Sequence, residues 1–562
     1  MKKIYFFAIL GVLALQPCSL YSQITNDVEE ISAIEEASTE QLVKSPHKAD
    51  AAIRPNAVFY IPNGALFSSY DFGRGWYRQI DPILHMPPFV DQTFKNATSG
   101  AESYEWKYVD PSVEYNMFNP QITSTQVDLT VNYGPQIGNI EAPTLKATNA
   151  QGDSISPQIK WLRVGGGPVH METVSTTAHY YMGNSPADTK STSNRNGGIN
   201  YFAVNTPAAN KTWTNRTREV NDTVMIKGVA ELFYKPIAPY ALREVHVPIY
   251  LTATQSVSSD FKLTLQEVEQ DLTTGAIVSY GDTIATQVLS KDKMRLLSQS
   301  SGNKYYELAF KQLVDAKTNQ VVEGFTIDKA LLITLTLNDP DDETSSFTIN
   351  MMCDKLQLPN KFHAYVLYDA KKKKDGTIAK HIYERGIFSL TSGYTRSLPF
   401  LLEASFEYLR GTETGSETEG AWEAPATGGT KTIDLISSVP YQDALKMQTF
   451  WKVTLEDGSP LPTWLNVTVT DEYNDEKAYQ NNTSVKFQAI GTNNNDVREA
   501  TVLLSFIGGK YKFNVKQKTT NSIQIITNDD SQADAPMYNI AGQRIDGNYK
   551  GVVIRNGKKI IR

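Results

Sequence analysis

The chain has 562 residues, with 54 Lys plus Arg against 61 Asp plus Glu and a net charge of −7, a mildly acidic balance that lacks the basic footprint of a nucleic-acid binder. Its two cysteines exclude a disulfide-stapled scaffold. The length suits about three or four domains, each large enough for its own core, and 29 Tyr with 22 Phe favours strands over helices.

Residues 1–22 read as a secretory signal peptide. Met1, Lys2 and Lys3 precede an apolar run from Ile4 to Leu15, too short to span a bilayer comfortably, and small or polar residues follow. The expected cut lies between Ser22 and Gln23. Cys18 follows Gln16 and Pro17, which fit poorly into the small-residue pocket of lipoprotein processing. Once the signal is removed, Cys353 has no partner within the chain, and no second apolar run reaches spanning length, so no transmembrane helix is expected. Residues 23–54 are acidic and rich in Ala and Ser, without alternation, and read as a linker.

From residue 55 to 229 the sequence turns aromatic and is punctuated by Gly and Pro, as expected of a β-sandwich region. Tyr70, Phe72, Trp76 and Tyr77 are the candidate ligand-binding residues, since rings exposed on a loop stack against sugar faces. The alternative is that these rings close one end of the first core. Val127, Leu129, Val131 and Tyr133 alternate with polar residues and mark a half-buried strand. The phrase carrying Phe94, Asn96, Ser99, Tyr104 and Trp106 resembles the start of a PKD-like immunoglobulin-type domain, which implies that Trp106 sits on a core strand. It departs from that family in having Asp110-Pro111 where a Gly-Asp-Gly turn is usual. Gly165, Gly166 and Gly167 have no Lys-Ser/Thr after them and read as a turn. His170 and His179 read as ordinary strand histidines.

Residues 230–410 read as a second β-sandwich domain. Val245, Val247, Ile249 and Leu251 share one parity, as do Leu331, Ile333, Leu335 and Leu337. Two strand-like runs flank Lys371–Lys374 and Asp375-Gly376, which predicts a hairpin with lysines at its tip. Cys353 shares parity with Phe347, Ile349 and Met351 and reads as a small core residue. Asp339, Asp341, Asp342 and Glu343 read as a solvated acidic turn, with a calcium site as the alternative; no other cofactor or metal is expected.

Residues 411–423, opening on Gly, Thr, Ser and Glu, read as a linker. In residues 424–517, Ala500, Val502, Leu504 and Phe506 alternate up to Gly508-Gly509, after which Tyr511, Phe513 and Val515 alternate back, a hairpin pattern. With Gly428-Gly429, Trp451, Trp464 and Gln517, this module resembles a BACON-type domain, an immunoglobulin-like sandwich of exported Bacteroidetes proteins. Residues 518–562 end in two short strands around Asp546-Gly547, with a second turn at Asn556-Gly557. Tyr538, Asn539, Gly542, Gln543 and Arg544, followed by Gly551, Asn556, Gly557, Lys558 and Lys559, resemble the C-terminal sorting signal of the type IX secretion system. The family's sorting domain is usually longer than this tail. The resemblance implies transfer across the outer membrane by that machinery.

Neither a His-Glu-x-x-His run nor a Gly-x-Ser-x-Gly elbow occurs, and catalytic residues are not expected. The expectation is therefore an all-β chain of tandem immunoglobulin-like sandwiches. It would be exported to the cell surface as a binding or adhesion protein and hold a glycan or a host or other extracellular protein. The alternative is an exported carbohydrate-active or other hydrolytic enzyme whose paired carboxylates lie far apart in sequence.

Overall fold

The computed structural model describes residues 53–62, 66–71, 78–112, 120–134, 138–156, 159, 161–165, 180–183, 200–204, 226–272, 275–300, 302–342, 344–354, 364–369, 381–385, 395–398, 400–443, 448–472, 480–520, 536–555 and 558–562. Among them there is no α-helix; a short 3-10 turn at Lys291–Lys293 interrupts an otherwise all-β chain.

The first sandwich sets a three-stranded sheet (Phe59–Tyr60, Asp91–Asn96, Leu129–Asn132) against a four-stranded one (Gly152–Ile155, Thr144–Asn149, Ser103–Val109, Gln121–Ser124). Phe59 stands between the sheets, its ring 5.7 Å from Phe94 and 5.4 Å from Trp106. Trp106 is fully buried on its strand, as expected, and its Nε1 donates to the Gln126 carbonyl at 3.0 Å, which satisfies the one polar atom that burial would strand. Leu129, Val131 and Tyr133 face the same core, while Val127, just before the strand begins, is exposed.

Beyond this sandwich runs a 13-stranded sheet whose main path is Asn200–Val204, Phe347–Asp354, Tyr240–Leu251, Leu401–Ser405, Tyr180–Gly183, Leu66–Asp71, Arg78–Met86, Trp161–Val164 and Gly138–Glu141. Strands from both sides of residue 229 share it, and position 229/230 falls inside the strand Ile226–Phe233. The boundary expected there from composition is thus crossed by hydrogen-bonded pairing, which composition does not report.

A seven-stranded sheet (Val314–Asp315, Ile277–Leu289, Phe261–Gln270, Ala330–Leu337, Ile226–Phe233, Ala364–Asp369, His381–Arg385) packs on the Tyr240–Leu251 side. The two expected parity sets meet here: Val245, Val247 and Ile249 from one sheet and Leu331, Ile333 and Leu335 from the other enter the same apolar cluster. Ala364–Asp369 and His381–Arg385 pair as the two arms of the expected hairpin, Asp369 opposite His381; Lys371–Lys374 and Asp375-Gly376 lie outside the described residues.

The last module is a second complete sandwich, with one sheet of Leu409–Gly411, Gly429–Ser437, Asn481–Ala489 and Leu465–Glu472 and another of Glu419–Ala424, Gly509–Gln517, Arg498–Phe506 and Lys452–Leu455. Phe487 and Phe513 stack across the gap at 4.0 Å. Trp451 is buried with its Nε1 on the Val439 carbonyl at 2.9 Å, and Trp464 is half-buried against the same cluster. Two expectations need correction. Residues 411–423 are not a linker, because Gly411 ends one strand and Glu419–Ala424 pairs in parallel with Gly509–Gln517, turning Gly420, Trp422 and Ala424 inward. The hairpin turn is Ile507-Gly508 rather than Gly508-Gly509, since Phe506 pairs with Gly509. Gly508 alone of the two has positive φ (+85°), and a Cβ on Gly509 would sit 2.4 Å from the Phe506 ring. This tip reaches the central unit, where the Gly508 N–H donates to Thr326 Oγ1 at 3.1 Å.

Candidate functional site

Of the expected aromatic site, Tyr70 lies on the strand Leu66–Asp71 and pairs with Gln79; Phe72, Trp76 and Tyr77 lie outside the described residues, as do Ser22 and Gln23. His170, His179, Gly166, Gly167 and Glu343 lie outside them too. In the acidic turn, Asp342 is a staple: Ser259, Thr344 and Ser345 donate their hydroxyls to its carboxylate, and the Ser345 N–H adds a bond at 3.0 Å. Burial would raise this carboxyl, but those bonds outweigh it and hold it well below the usual carboxylate range.

The tail is a four-stranded sheet in the order Arg544–Ile545, Met537–Asn539, Val552–Arg555, Lys558–Ile561. Its motif residues divide into two groups. Asn539 folds the first turn, its Oδ1 accepting from the N–H groups of Ala541 (3.0 Å) and Gln543 (2.9 Å) and its Nδ2 donating to Gln543 Oε1 at 2.9 Å. Gly542 in that turn has φ +76° and Gly551 exchanges two 3.0 Å backbone bonds with Arg562. Tyr538 (38% exposed), Arg544 and Lys559 instead face outward. Asn556 and Gly557 lie outside the described residues; Lys558 opens the last strand.

A third cluster was not anticipated. On Tyr240–Leu251 the residues Val245, Val247 and Ile249 go to the core, so Glu244 and His246 point to the opposite face of the sheet. That face is also closed, for His246 is only 1% exposed. Its Nδ1 bonds Glu307 Oε1 at 2.7 Å and its Nε2 bonds Glu244 Oε2 at 2.9 Å. Arg295 Nε donates to the other oxygen of Glu307, and Lys311 Nζ reaches Glu244 Oε2 at 2.9 Å. Glu403, on Leu401–Ser405, pairs directly with Glu244 across the ladder. Among the described residues, Glu244, His246 and Glu403 are a group whose ligand-type atoms all lie within 4.8 Å of one another.

Charge pairing sets the electrostatics of this cluster. Burial would push the His246 imidazole down, but the carboxylates of Glu244 and Glu307 raise it above its ordinary value. Burial would likewise raise Glu307 and Glu244. The hydrogen bonds from His246, reinforced by Arg295 and Lys311, hold both below theirs. The other described buried histidine, His85, shows the reverse: burial and the neighbouring Arg163 push it well below its ordinary value. Sequence spacing concealed the cluster, since 61 residues separate His246 from Glu307. The available signal was Arg-Glu-Val-His-Val, in which Glu244 and His246 alternate with two core valines on a strand with no other ionisable residue but Arg243 and the two tyrosines.

No protein-family profile and no curated protein matches this chain. Among solved structures, it is similar to a mutated three-immunoglobulin-domain fragment of titin, at 10% identity over 81% of this chain and 99% of that one, with TM-score 0.13. It is also similar to the N-terminal domain of a Streptococcus gordonii adhesin, at 10% identity over 84% and 91%, TM-score 0.16, and to the Vibrio cholerae protease VesB, at 7% identity over 50% and 96%, TM-score 0.12. Likeness at that level carries no argument about function. The all-β class rests on the strands themselves.

Proposed function

We propose that this chain is an exported, surface-displayed binding protein in which stacked β-sandwiches present a ligand-holding surface to a glycan or an extracellular protein. The observation that carries the reading is the division of labour in the C-terminal sheet. Asn539, Gly542 and Gly551 are used up in folding it, while Tyr538, Arg544 and Lys559 stand outward on a sheet with a single described buried apolar residue, Val553. A sheet with so little core is poorly suited to be a folding unit of its own and well suited to be read by a partner, as a sorting signal is. The tandem sandwiches support the rest of the reading, because rigid β scaffolds hold loops in fixed positions for binding. No helix of the described residues is long and apolar enough to cross a membrane.

The test is export. Deleting residues 537–562 is expected to leave the protein in the periplasm, measured by surface proteolysis and fractionation of cells carrying the type IX machinery. Gly542→Val is expected to reduce surface protein as well, because a β-branched side chain does not tolerate φ +76°. A truncated chain that reaches the surface in normal amount overturns the reading. For the ligand, binding to a glycan array that is lost in Trp76→Ala/Tyr77→Ala would place the site at these aromatics, and absence of glycan binding would point to a protein partner.

A further inference from the structure

We propose that Glu244, His246 and Glu403 form a binding site for a divalent transition-metal ion, with Glu307 as the outer partner that orients the imidazole and Lys311 as the ammonium that the ion displaces. The first argument is register. Glu244 and Glu403 are directly opposite on neighbouring antiparallel strands, where like charges repel; His246 and Lys311 offset that repulsion at Glu244, and a divalent ion held between the two carboxylates would offset it at both. The strand is irregular just there, its pairing shifting between Leu242 and Glu244, which is how β-bulges re-aim side chains at sites.

The second argument is the imidazole. Its Nδ1 is held by Glu307, itself fixed by Arg295, and this carboxylate–histidine arrangement is the one that directs the other ring nitrogen at a metal and raises its basicity. That other nitrogen, Nε2, points at the Glu244 carboxylate, where it makes the 2.9 Å contact. With Nε2 and Glu244 Oε2 2.9 Å apart and all three ligand-type atoms within 4.8 Å of one another, metal bonds of about 2.0–2.2 Å ask for shifts on the order of 1 Å, which rotation of the glutamate side chains supplies.

The third argument is charge. A divalent ion that takes the place of the Nε2 proton, which passes to solvent, and of the Lys311 ammonium on Glu244 brings two positive charges for two. Lys311 is 56% exposed and Glu244 20%, so the ammonium swings into water and the same side admits the ion. One imidazole nitrogen with two carboxylates suits zinc-class ions, whereas calcium takes six to eight oxygens. Three protein ligands leave a fourth position for water on the Lys311 side.

The experiment is calorimetric titration of the chelator-treated full chain with zinc chloride, with the visible spectrum of added cobalt(II) as a second reading. Wild type is expected to bind one equivalent, and Glu403→Gln to lose it. Glu307→Gln is expected to weaken it by about 10–100-fold. Lys311→Ala is expected to tighten binding by up to about fivefold, because it removes an exposed competitor; a gain of affinity cannot come from misfolding. No bound equivalent in wild type overturns the proposal. So does binding that is unchanged in both Glu403→Gln and Lys311→Ala, which puts the ion on other histidines.

Discussion

In the last module the described buried polar side chains are neutral, Thr483, Asn493 and Gln517 among them, and the pairs Lys512–Glu456, Lys516–Glu499 and Lys518–Glu423 stand largely in solvent, with Arg410–Glu417 half-buried; in the central unit the ionisable side chains of Glu231, His246, Glu307 and Glu407 are buried. Both regions are two-sheet packings of alternating strands. They differ in the second face of the central strands. The Tyr240–Leu251 strand is covered on both sides, so one face carries hydrocarbon and the other carries ions that must find each other. Gln517 shows the cheaper solution in the last module: its amide donates to the Gly491 carbonyl at 2.8 Å and accepts from Arg498 at 3.2 Å with no charge of its own buried. A sandwich that buries one face of each strand needs only neutral polar partners, whereas a sheet buried on both faces can hold a charged network and, with it, chemistry.

This contrast makes predictions of decreasing size. Phe487→Ala removes a ring stacked between the two sheets of the last module and should cost about 4 kcal/mol. Denaturant unfolding followed by Trp451 and Trp464 fluorescence would show it, with the central unit's transition unmoved if the two regions unfold separately. Glu307→Leu should cost about 3 kcal/mol, because it leaves Nδ1 of buried His246 without its carboxylate, while half-exposed Arg295 turns to solvent. A much smaller loss would mean that the cluster is wetter than its burial indicates.

The pH dependence is smaller and has a definite sign. His246 is raised in the fold, so its stabilisation is complete below about pH 6.5 and is lost as pH rises through its folded value. Glu244 and Glu307 are lowered, so theirs is present above about pH 4.5 and is lost as pH falls through the folded values. The central unit, freed of metal by chelator, should therefore be most stable between these limits. His85 runs the other way, favouring the fold above about pH 6.5, and His85→Gln should remove that opposing slope. Thermal unfolding across pH 4 to 9 for wild type and His246→Gln separates the contributions. At the small end, Lys516→Ala should leave the last module's midpoint unchanged within error, since its pair with Glu499 is half-exposed on both sides.

What the sequence made legible follows the same division. Alternation located the Arg498–Phe506 and Gly509–Gln517 hairpin, because apolar burial on one face leaves a period of two in the residues themselves; Ala330–Leu337 showed its parity set although it is buried on both faces, and the core position of Trp106 followed from the family resemblance. All but the last residue of Glu419–Ala424 falls in the stretch 411–423 that reads as linker, since an edge strand with Glu on its outer face and Gly, Trp and Ala on its inner one has little apolar content. The ionic cluster was illegible for a different reason: Glu244, His246, Glu307 and Glu403 come from three strands and meet only through pairing, which no local pattern records. The tail's turn residues were visible as a motif, but only the structure divides Asn539 and Gly542, which fold it, from Tyr538 and Arg544, which it displays.

The parallel pairing of Glu419–Ala424 with Gly509–Gln517 has a mechanical consequence. One strand lies near the start of the last module and the other at its end. Tension on a module held at both ends therefore pulls the two strands past each other along their length. In that geometry the bonds of the ladder from Glu419–Lys512 to Ala424–Gln517 share the load and must fail together, whereas a hairpin pulled open from one end loses them one at a time. The module is arranged to stay shut when it is drawn from its two ends.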